Sequence, residues 1–522
     1  MGSRNFQIAL GIFLFLLSVY LASYSGHIHS VDEAYIVAVT ANLGKGRLDV
    51  NPVAFYQHGF ERASRLGNLG LTGDVFCKKG IATSLLAFPF FWTSKLIPSL
   101  GAVHSAHLTN GVVTAATGSL LFLYLIAQGF SVSASLISTL IWGIGTIAWP
   151  YARMLFAEPV GALALLISFF GAALFRQHPT FRFALIGGFG LGLSIAAIPA
   201  NILVTPLFII GMLYPYLKYR LKEVLPTALG GGILGAAGPA ALVIWYNVHR
   251  FGTPLETGYF LEASDFSLPI IGTIGLLISP ARGLFLYTPA TLLTIPGYFL
   301  NREKNRLNLW LTGALLALYL LLFGSWHDWH GGWSWGPRYL VPVMPLMFLL
   351  IAPVWESFPR LHPFWRGMIL FLVGISLLIQ FIGVAGDYVG TEFFLERELG
   401  NQPDSWYYRG RTGFFQPRYS PLVVQAQHLR SDNLDFGWMV DGHPDSRGLA
   451  AAVLALVAGS ISLGMGLLPR RRTWLLALCG VTLALCALVL AVRATEIRLE
   501  EFQGDGRLEA LSFIAANWEP GD

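Results

Sequence analysis

The stretch FQIALGIFLFLLSVYLASYSGHIHSVDE, residues 6–33, places a long apolar run directly before two acids. Residues 6–25 have the length with which a helix crosses the hydrocarbon core of a membrane, about 20 residues. Comparable runs recur along the 522 residues, of which 54% are hydrophobic and only 12% charged, whereas soluble domains carry about 25% charged residues. The sequence therefore predicts an all-α polytopic membrane protein, whose first run is a retained anchor and not a cleaved signal peptide.

The apolar runs predict about thirteen transmembrane helices, at residues 6–25, 104–127, 132–150, 159–175, 183–198, 200–217, 225–246, 284–300, 307–325, 340–355, 367–386, 448–468 and 474–492. With the N-terminus in the cytoplasm, the inner loops are those rich in Lys and Arg, as the positive-inside rule requires. Residues 80–98 are predicted as a helix lying on the outer surface, because this segment is short and contains Pro89.

Three parts are predicted along the chain: a membrane module, an outer-face polar segment, and a C-terminal pair of helices with an outer tail. Their bounds are 1–386, with a first outer loop at 26–103, then 387–447 and 448–522. The loops with unusual composition all fall on the outer side, so the functional site is expected at that face. The net charge of +5 is spread among short loops, and without a basic patch no nucleic-acid partner is expected.

The acids of the opening stretch begin a predicted helix that ends near Gly44. Ser30 and Glu33 fit the S-x-x-E capping box, in which the serine caps the helix and the glutamate reaches back to it. Asp32 is not needed for that box. It is either a first-turn acid that favours the helix dipole or a carboxylate that performs chemistry at the membrane surface.

More charged side chains lie at predicted membrane boundaries. Glu158, in WPYARMLFAEP, is either a helix-start acid before Pro159 or a second acid facing Asp32, suited to bind a cation or orient a hydroxyl. Arg250 and Arg282 carry planar guanidinium groups that suit a phosphate. The alternative for both arginines is ordinary placement of a long cationic side chain at a membrane interface.

The segment WHDWHGGWSWGPRYLVP, residues 326–342, is the densest in aromatic and ionisable side chains. An aromatic belt explains some of its tryptophans, but Trp faces also suit sugar rings, and Arg338 suits a phosphate. The predicted sugar or acceptor contacts are Trp333, Trp335, Tyr339 and Glu33. The metal-ligand candidates, supported by spacing alone, are His327, Asp328 and His330.

Six motifs together resemble the GT-C superfamily of membrane glycosyltransferases, in the bacterial branch similar to protein O-mannosyltransferases and the lipid A aminoarabinose transferase. The motifs are DEAYIVAVTANLGKG, KKGIATSLLAFPF, GTIAWPYARMLFAEP, NVHRFGTPLETGY, SPARGLFLYTP and GGWSWGPRYLVPVMPL. Their order and spacing carry the resemblance. It covers roughly residues 1–355.

The resemblance implies a GT-C fold and an inverting transfer of a sugar from a polyprenyl-phosphate donor, at the outer face of the inner membrane. The acceptor would be a hydroxyl of a lipid, a glycan or a protein. Asp32 matches the position of the family's catalytic acid, Glu158 matches the acid of the second outer loop, and either Lys78 or Lys79 matches a basic residue. Arg282 and Arg338 match positions expected to hold the carrier phosphate.

The resemblance also bears on the need for a cofactor. The second outer loop has a single Glu where oligosaccharyltransferases have an Asp-x-Asp pair, so a reaction that requires no cofactor is expected, with a divalent cation as the alternative.

A flippase for lipid-linked sugars would use the same outer-face arginines and aromatics, and a non-catalytic scaffold is a further alternative. Transporters, however, have polar groups at mid-membrane depth, whereas the polar groups of the predicted spans lie at one interface.

Overall fold

The computed structural model describes residues 3–51, 53–54, 67–97, 99–219, 223–259, 266–301, 305–400, 413–440, 442–468 and 473–501. These ranges are mainly helical, with helices α1 Ser3–Ala22, α2 Val31–Leu43, α3 Ala82–Thr93, α4 Ala102–Ala127, α5 Val132–Ile144, α6 Ala148–Ala152, α7 Glu158–Gln177, α8 Phe181–Ala197, α9 Thr205–Tyr219, α10 Val224–Phe251, α11 Ile270–Ile278, α12 Leu284–Tyr287, α13 Thr294–Asn301, α14 Arg306–Ser325, α15 Met344–Ser357, α16 Pro363–Ala385, α17 Tyr388–Gly400, α18 Pro421–His428, α19 Ser446–Leu467 and α20 Thr473–Glu501. The predicted outer tail beyond residue 501 lies outside the described residues.

Strands are few and short. Two antiparallel hairpins are formed by β1 Gly67–Leu69 with β2 Val75–Cys77, and by β3 Met439–Val440 with β4 His443–Pro444. Turns of 3-10 helix lie at Pro199–Val204, Pro289–Leu293, Arg338–Val343, Phe358–Arg360 and Pro417–Tyr419.

Nine helices in the described ranges are long and apolar enough to cross a membrane, and they coincide with nine of the predicted spans. The all-α polytopic prediction is therefore confirmed. Three more predicted spans, 132–150, 183–198 and 200–217, fall on shorter apolar helices. The count of thirteen is thus not confirmed.

The predicted span 284–300 is wrong as a continuous helix. The chain there consists of α12, a 3-10 turn at Pro289–Leu293, and α13. Proline lacks an N–H and pushes the preceding residue out of the helical region. Thr288 accordingly has φ −141° and ψ 70°, and α12 ends at Tyr287, two residues before Pro289.

Helix α3 covers most of the segment that was expected to lie on the outer surface. Its 12 residues span about 18 Å at the rise of an α-helix, whereas a membrane core is about 30 Å thick. The helix is too short to cross, as predicted from the sequence. Its position at the outer face stays a prediction.

Contacts between Cα atoms divide the chain into two discontinuous units. The first comprises Met1–Ser25, Thr114–Arg153 and Phe266–Ala494, and the second Gly26–Val113, Met154–Asp265 and Thr495–Asp522. Neither unit follows the sequential division predicted above, and that division stays a prediction.

In the first unit, α1 packs along α19, so a helix of the predicted C-terminal part lies against the first helix of the chain. The two helices approach closely because each has a glycine at the contact, Gly11 on α1 and Gly459 on α19. A Cβ atom at Gly11 would lie 2.7 Å from the carbonyl oxygen of Ser462. Small residues at such contacts let membrane helices approach one another and gain packing energy.

In the second unit, α8 packs against α7 and α10. A Cβ atom at Gly192 would lie 2.9 Å from Cβ of Pro239, and one at Gly231 would lie 2.6 Å from Cβ of Ala184. These glycines therefore set the close approach of α8 and α10.

Helix α2 of the second unit is fixed by α3 and by the first hairpin. Ser84 Oγ on α3 donates a hydrogen bond to the carbonyl oxygen of Ile36 at 3.1 Å. The hairpin turn contains Gly73 at φ 86°, a conformation that glycine adopts without strain. Strand β2 then delivers the chain to Lys78 and Lys79.

Candidate functional site

Asp32 lies in the first turn of α2, and its carboxylate is paired with a lysine. Ser30 is the N-cap in extended conformation, with φ −153° and ψ 151°. Its Oγ accepts from the Asp32 N–H at 3.4 Å, a long distance for a hydrogen bond. Asp32 Oδ2 lies 3.0 Å from Lys79 Nζ, with the two side chains 22% and 23% exposed. The predicted catalytic carboxylate of Asp32 is thus partly exposed to solvent and is held by the ion pair with Lys79.

Glu33, the next residue, has entirely different surroundings. Its side chain is fully buried, with Oε2 2.8 Å from His107 Nε2 and 3.0 Å from the Leu155 N–H. Oε1 accepts from the His29 N–H at 3.2 Å. The carboxylate therefore reaches back to His29 and not to Ser30, so the expected capping box is not formed as predicted. Its burial also leaves no surface for the predicted sugar or acceptor contact.

The ionisation of Glu33 follows from these contacts. Burial acts to raise the pKa of its carboxyl, but hydrogen bonds and charges from His107 and His29 outweigh burial and lower the pKa to about 2. Hydrogen bonds to the charged form of a carboxyl favour ionisation. These contacts therefore favour the ionised form of Glu33.

The two lysines that the sequence left open differ in their exposure. Lys79 contacts Asp32, whereas Lys78 is buried. Burial raises the pKa of the preceding Cys77 thiol to about 11, so this thiol is not a nucleophile at neutral pH. Lys79 therefore forms an ion pair with Asp32, and the roles of both lysines in binding the donor stay predictions.

Arg250 holds the strand that leads to these lysines. Its Nη1 donates to the carbonyl oxygen of Cys77, and its Nη2 donates to Asn247 Oδ1 at 2.8 Å. The guanidinium lies 3.6 Å from the ring centre of Tyr246. Arg250 is thus a buried link between α10 and β2, and the alternative of a phosphate ligand is not supported.

Glu158, the second predicted acid, is buried at the first residue of α7, followed by Pro159 as expected for a helix start. The loop before it is held by α4. Asn110 Nδ2 donates to the carbonyl oxygens of Met154 at 2.6 Å and Phe156 at 2.8 Å. Neither Asn110 nor His107 could be singled out from the sequence, because each lies within an apolar span.

The predicted phosphate ligands Arg282 and Arg338 belong to the first unit. Arg282 is fully buried and donates to the carbonyl oxygens of His330 at 3.1 Å and Gly332 at 2.9 Å. Its Nη2 also lies 3.1 Å from Glu392 Oε1. Burial acts to lower the pKa of this guanidinium, but Glu392 and neighbouring tyrosines outweigh it and raise the pKa. Arg282 therefore clamps the aromatic segment, and we do not retain it as a phosphate ligand.

We expect Arg282→Met to lower the free energy of unfolding by about 3–5 kcal/mol, because the buried Glu392 would lose the guanidinium that lies 3.1 Å from it. The double variant Arg282→Met/Glu392→Leu should recover much of that loss, since it removes both charges. Thermal unfolding of the purified variants in detergent checks both values. A fully stable Arg282→Met protein with weakened binding of polyprenyl phosphate would restore the phosphate-ligand prediction.

The aromatic segment is folded around three glycines with positive φ, Gly331, Gly332 and Gly336. Arg338 Nη1 donates to the Gly331 carbonyl oxygen at 3.2 Å. Trp335 is fully buried, 5.0 Å from the ring centre of Tyr287. Trp335 thus belongs to the core, and its burial does not support the predicted sugar contact.

The other two predicted aromatic contacts are only partly buried. Trp333 meets Phe393 edge to face at 4.8 Å, and Tyr339 stacks on Phe323 at 4.3 Å. These two residues stay predicted as sugar contacts.

The three metal-ligand candidates do not form a site. Their ligand atoms are not all within 4.8 Å of one another. His330 Nε2 lies 3.0 Å from Asp328 Oδ1, and His330 Nδ1 accepts from the Gly332 N–H at 3.2 Å. Burial and the nearby Arg282 hold the pKa of His330 well below its usual range. Because its Nδ1 accepts from the Gly332 N–H, the ring of His330 supports the loop.

No family model matches the sequence, and no curated protein matches it. Among solved structures, the chain is similar to ArnT from Cupriavidus metallidurans in the apo state, with 12% sequence identity and a TM-score of 0.45, over 95% of this chain and 78% of that chain. The same protein bound to undecaprenyl phosphate gives 14% identity and a TM-score of 0.44, over 96% and 76%.

A third similar structure is the archaeal oligosaccharyltransferase AglB from Archaeoglobus fulgidus, in complex with an inhibitory peptide and a dolichol-phosphate. Its sequence identity is 12% and its TM-score 0.42, over 79% of this chain and 59% of that chain.

Proposed function

We propose that this protein is an inverting glycosyltransferase of the inner membrane, with its N-terminus in the cytoplasm and its active site at the outer face. It moves a sugar from a polyprenyl-phosphate carrier to an acceptor hydroxyl, and it needs no metal. The observation that carries the proposal is the partly exposed Asp32 carboxylate, 3.0 Å from Lys79, at the capped start of α2. The sequence resemblance to the GT-C superfamily supports the class of reaction.

Asp32 acts as the general base. An acceptor hydroxyl within hydrogen-bond reach of Asp32 loses its proton to the carboxylate as its oxygen attacks the anomeric carbon. The bond from that carbon to the carrier phosphate breaks, and the phosphate leaves with the electron pair. A lipid phosphate is a stable anion, so no protein acid is required to protonate it.

Lys79 supplies positive charge beside the base. In the free protein its ammonium group pairs with Asp32, which weakens Asp32 as a base because a nearby opposite charge favours the ionised carboxyl. When a carrier phosphate binds, the ammonium group is shared with it and stabilises the charge that develops on the leaving group. The Asp32 carboxylate is therefore a stronger base when the donor is bound than in the free protein.

Glu158 is the second carboxylate of the proposed site and orients the acceptor hydroxyl. Arg338, Trp333 and Tyr339 stay as predicted contacts of the carrier phosphate and of the sugar. The acceptor is the hydroxyl of a lipid, a glycan or a protein.

The test uses purified protein, a radiolabelled sugar on polyprenyl phosphate and a panel of acceptors of the three classes. The proposal expects label to leave the carrier and appear on an acceptor. In a parallel arm with the protein in vesicles, movement of intact labelled donor across the bilayer without transfer would identify a flippase. Neither transfer nor movement would favour a scaffold, and both of these outcomes would overturn the proposal.

A further inference from the structure

Glu33 joins the start of α2 to two other segments of the second unit. Its carboxylate accepts from the His29 N–H before α2, from the Leu155 N–H before α7, and lies 2.8 Å from His107 Nε2 on α4. Because Glu33 directly follows Asp32, a shift of this buried carboxylate moves the proposed base with it.

The same contacts hold the loop that carries Glu158. Asn110 on α4, three residues after His107, binds the carbonyl oxygens of Met154 and Phe156, on either side of the Leu155 N–H that Glu33 binds. The backbone of three successive residues is therefore fixed. Glu158 follows two residues after Phe156, so one network sets the positions of both proposed acids.

The surroundings of His107 determine how many protons it carries. Its Nδ1 lies 2.9 Å from the carbonyl oxygen of Val103, and a carbonyl oxygen only accepts, so Nδ1 holds a proton. Its Nε2 faces Glu33 Oε2 at 2.8 Å, and one proton must lie between these two atoms. That proton belongs either to an imidazolium paired with a carboxylate or to a neutral ring paired with a carboxylic acid.

The remaining contacts of Glu33 favour the ionised pair. Two backbone N–H groups donate to its carboxylate, from His29 at 3.2 Å and Leu155 at 3.0 Å. Donors stabilise a carboxylate more than a carboxylic acid. A buried carboxylate is otherwise costly and requires a positive partner. The other titratable group at this carboxylate is His29, whose Nδ1 lies 3.7 Å from Oε2.

We propose that Glu33 and His107 form a buried ion pair, with the proton on His107, that positions Asp32 and Glu158. The positioning role rests on the proposed function, whereas the ion pair does not. Neither residue touches the reacting atoms, so both are positioning residues.

The protonation state is tested without any assay of activity. Protein with ¹⁵N-labelled histidine, in lipid nanodiscs at neutral pH, is compared by solid-state NMR with the His107→Gln variant. We expect the signals that disappear to be those of a ring protonated at both nitrogens. Loss of signals from a ring with one unprotonated nitrogen would place the proton on Glu33 and overturn the ion pair.

An infrared difference spectrum between wild type and Glu33→Gln gives a second measurement for the case in which His107→Gln does not fold. The ion pair predicts the loss of an ionised carboxylate band. Loss of the band of a protonated carboxyl would contradict it.

The positioning role is tested by transfer kinetics of His107→Leu. We expect kcat to fall about 100-fold with the KM for the donor unchanged, because a displacement near 1 Å suffices for such a loss. The double variant Glu33→Gln/His107→Leu should be no slower than His107→Leu, since residues that act as one unit give non-additive losses. If His107→Leu does not fold because the Glu33 carboxylate has lost its partner, the double variant is measured in its place.

His249→Gln is the matched control, because His249 is an exposed histidine of the same unit, and it should transfer sugar at the wild-type rate. Loss confined to the donor KM, or additive losses in the double variant, would contradict the positioning role. If the wild-type protein transfers no sugar, the proposed function fails, and the NMR and infrared measurements still decide the ion pair.

Discussion

Replacing Asp32 with asparagine should lower the rate of sugar transfer by about 100- to 10,000-fold, the usual contribution of a general base. Asparagine has the same shape and keeps a hydrogen-bond acceptor next to Lys79, but its amide cannot take a proton from the acceptor hydroxyl. The fold should be retained, because the Asp32–Lys79 pair is partly exposed and exposed ion pairs contribute only about 0–1 kcal/mol.

The measurement is the initial rate at saturating donor, together with binding of polyprenyl phosphate and the thermal unfolding temperature. Asp74→Asn is the matched control, since Asp74 is a partly buried acid of the same unit, in the turn of the first hairpin, bound by Thr72 and Asn51. It should transfer sugar at the wild-type rate. Undiminished transfer by Asp32→Asn would remove Asp32 from the mechanism.

The second large effect is expected at Lys79. Lys79→Met should reduce kcat/KM for the donor by about 100- to 1,000-fold, the loss that follows removal of one group stabilising charge in a transition state. Lys79→Arg should recover part of this loss, because it restores the charge with a different geometry. Rates over a range of donor concentrations provide the measurement.

Lys78→Met provides the comparison for this prediction. The neighbouring lysine is buried, so its replacement should affect stability more than the transfer rate of the folded fraction. Equal losses of transfer in folded Lys78→Met and Lys79→Met, or an active Lys79→Met, would contradict the assignment of Lys79.

Much of the helical layout could be predicted from the sequence, because apolar length determines which segments can cross a membrane. The predicted span 284–300 is not one continuous helix for a local reason: Pro289 changes the backbone conformation of Thr288 before it, and the prediction from apolar composition did not take this into account. Similarly, the start of α2 at Val31 follows the capping serine, but the partner of Glu33 could not be predicted. His107 lies 74 residues along the chain from Glu33.

Charged and aromatic residues of the candidate site were harder to assign, because burial depends on the tertiary structure. Arg282 and Trp335 have the residue types expected for a phosphate and a sugar, and both are fully buried. Asp32 is partly exposed, whereas Glu33 in the same first turn of α2 is fully buried, so the position in the helix alone does not decide exposure. The sequence leaves Lys78 and Lys79 equivalent, and the pairing of Lys79 with Asp32 is visible only in the folded chain.

The anomeric configuration of the transferred sugar tests the central claim most directly. Wild-type protein is given a polyprenyl-phosphate sugar of known configuration, and the first product is analysed by proton NMR. One base and a single displacement require inversion at the anomeric carbon, whereas a covalent intermediate gives retention. Our account predicts an inverted product. A product with retained configuration, or donor that remains intact with every acceptor, would contradict it.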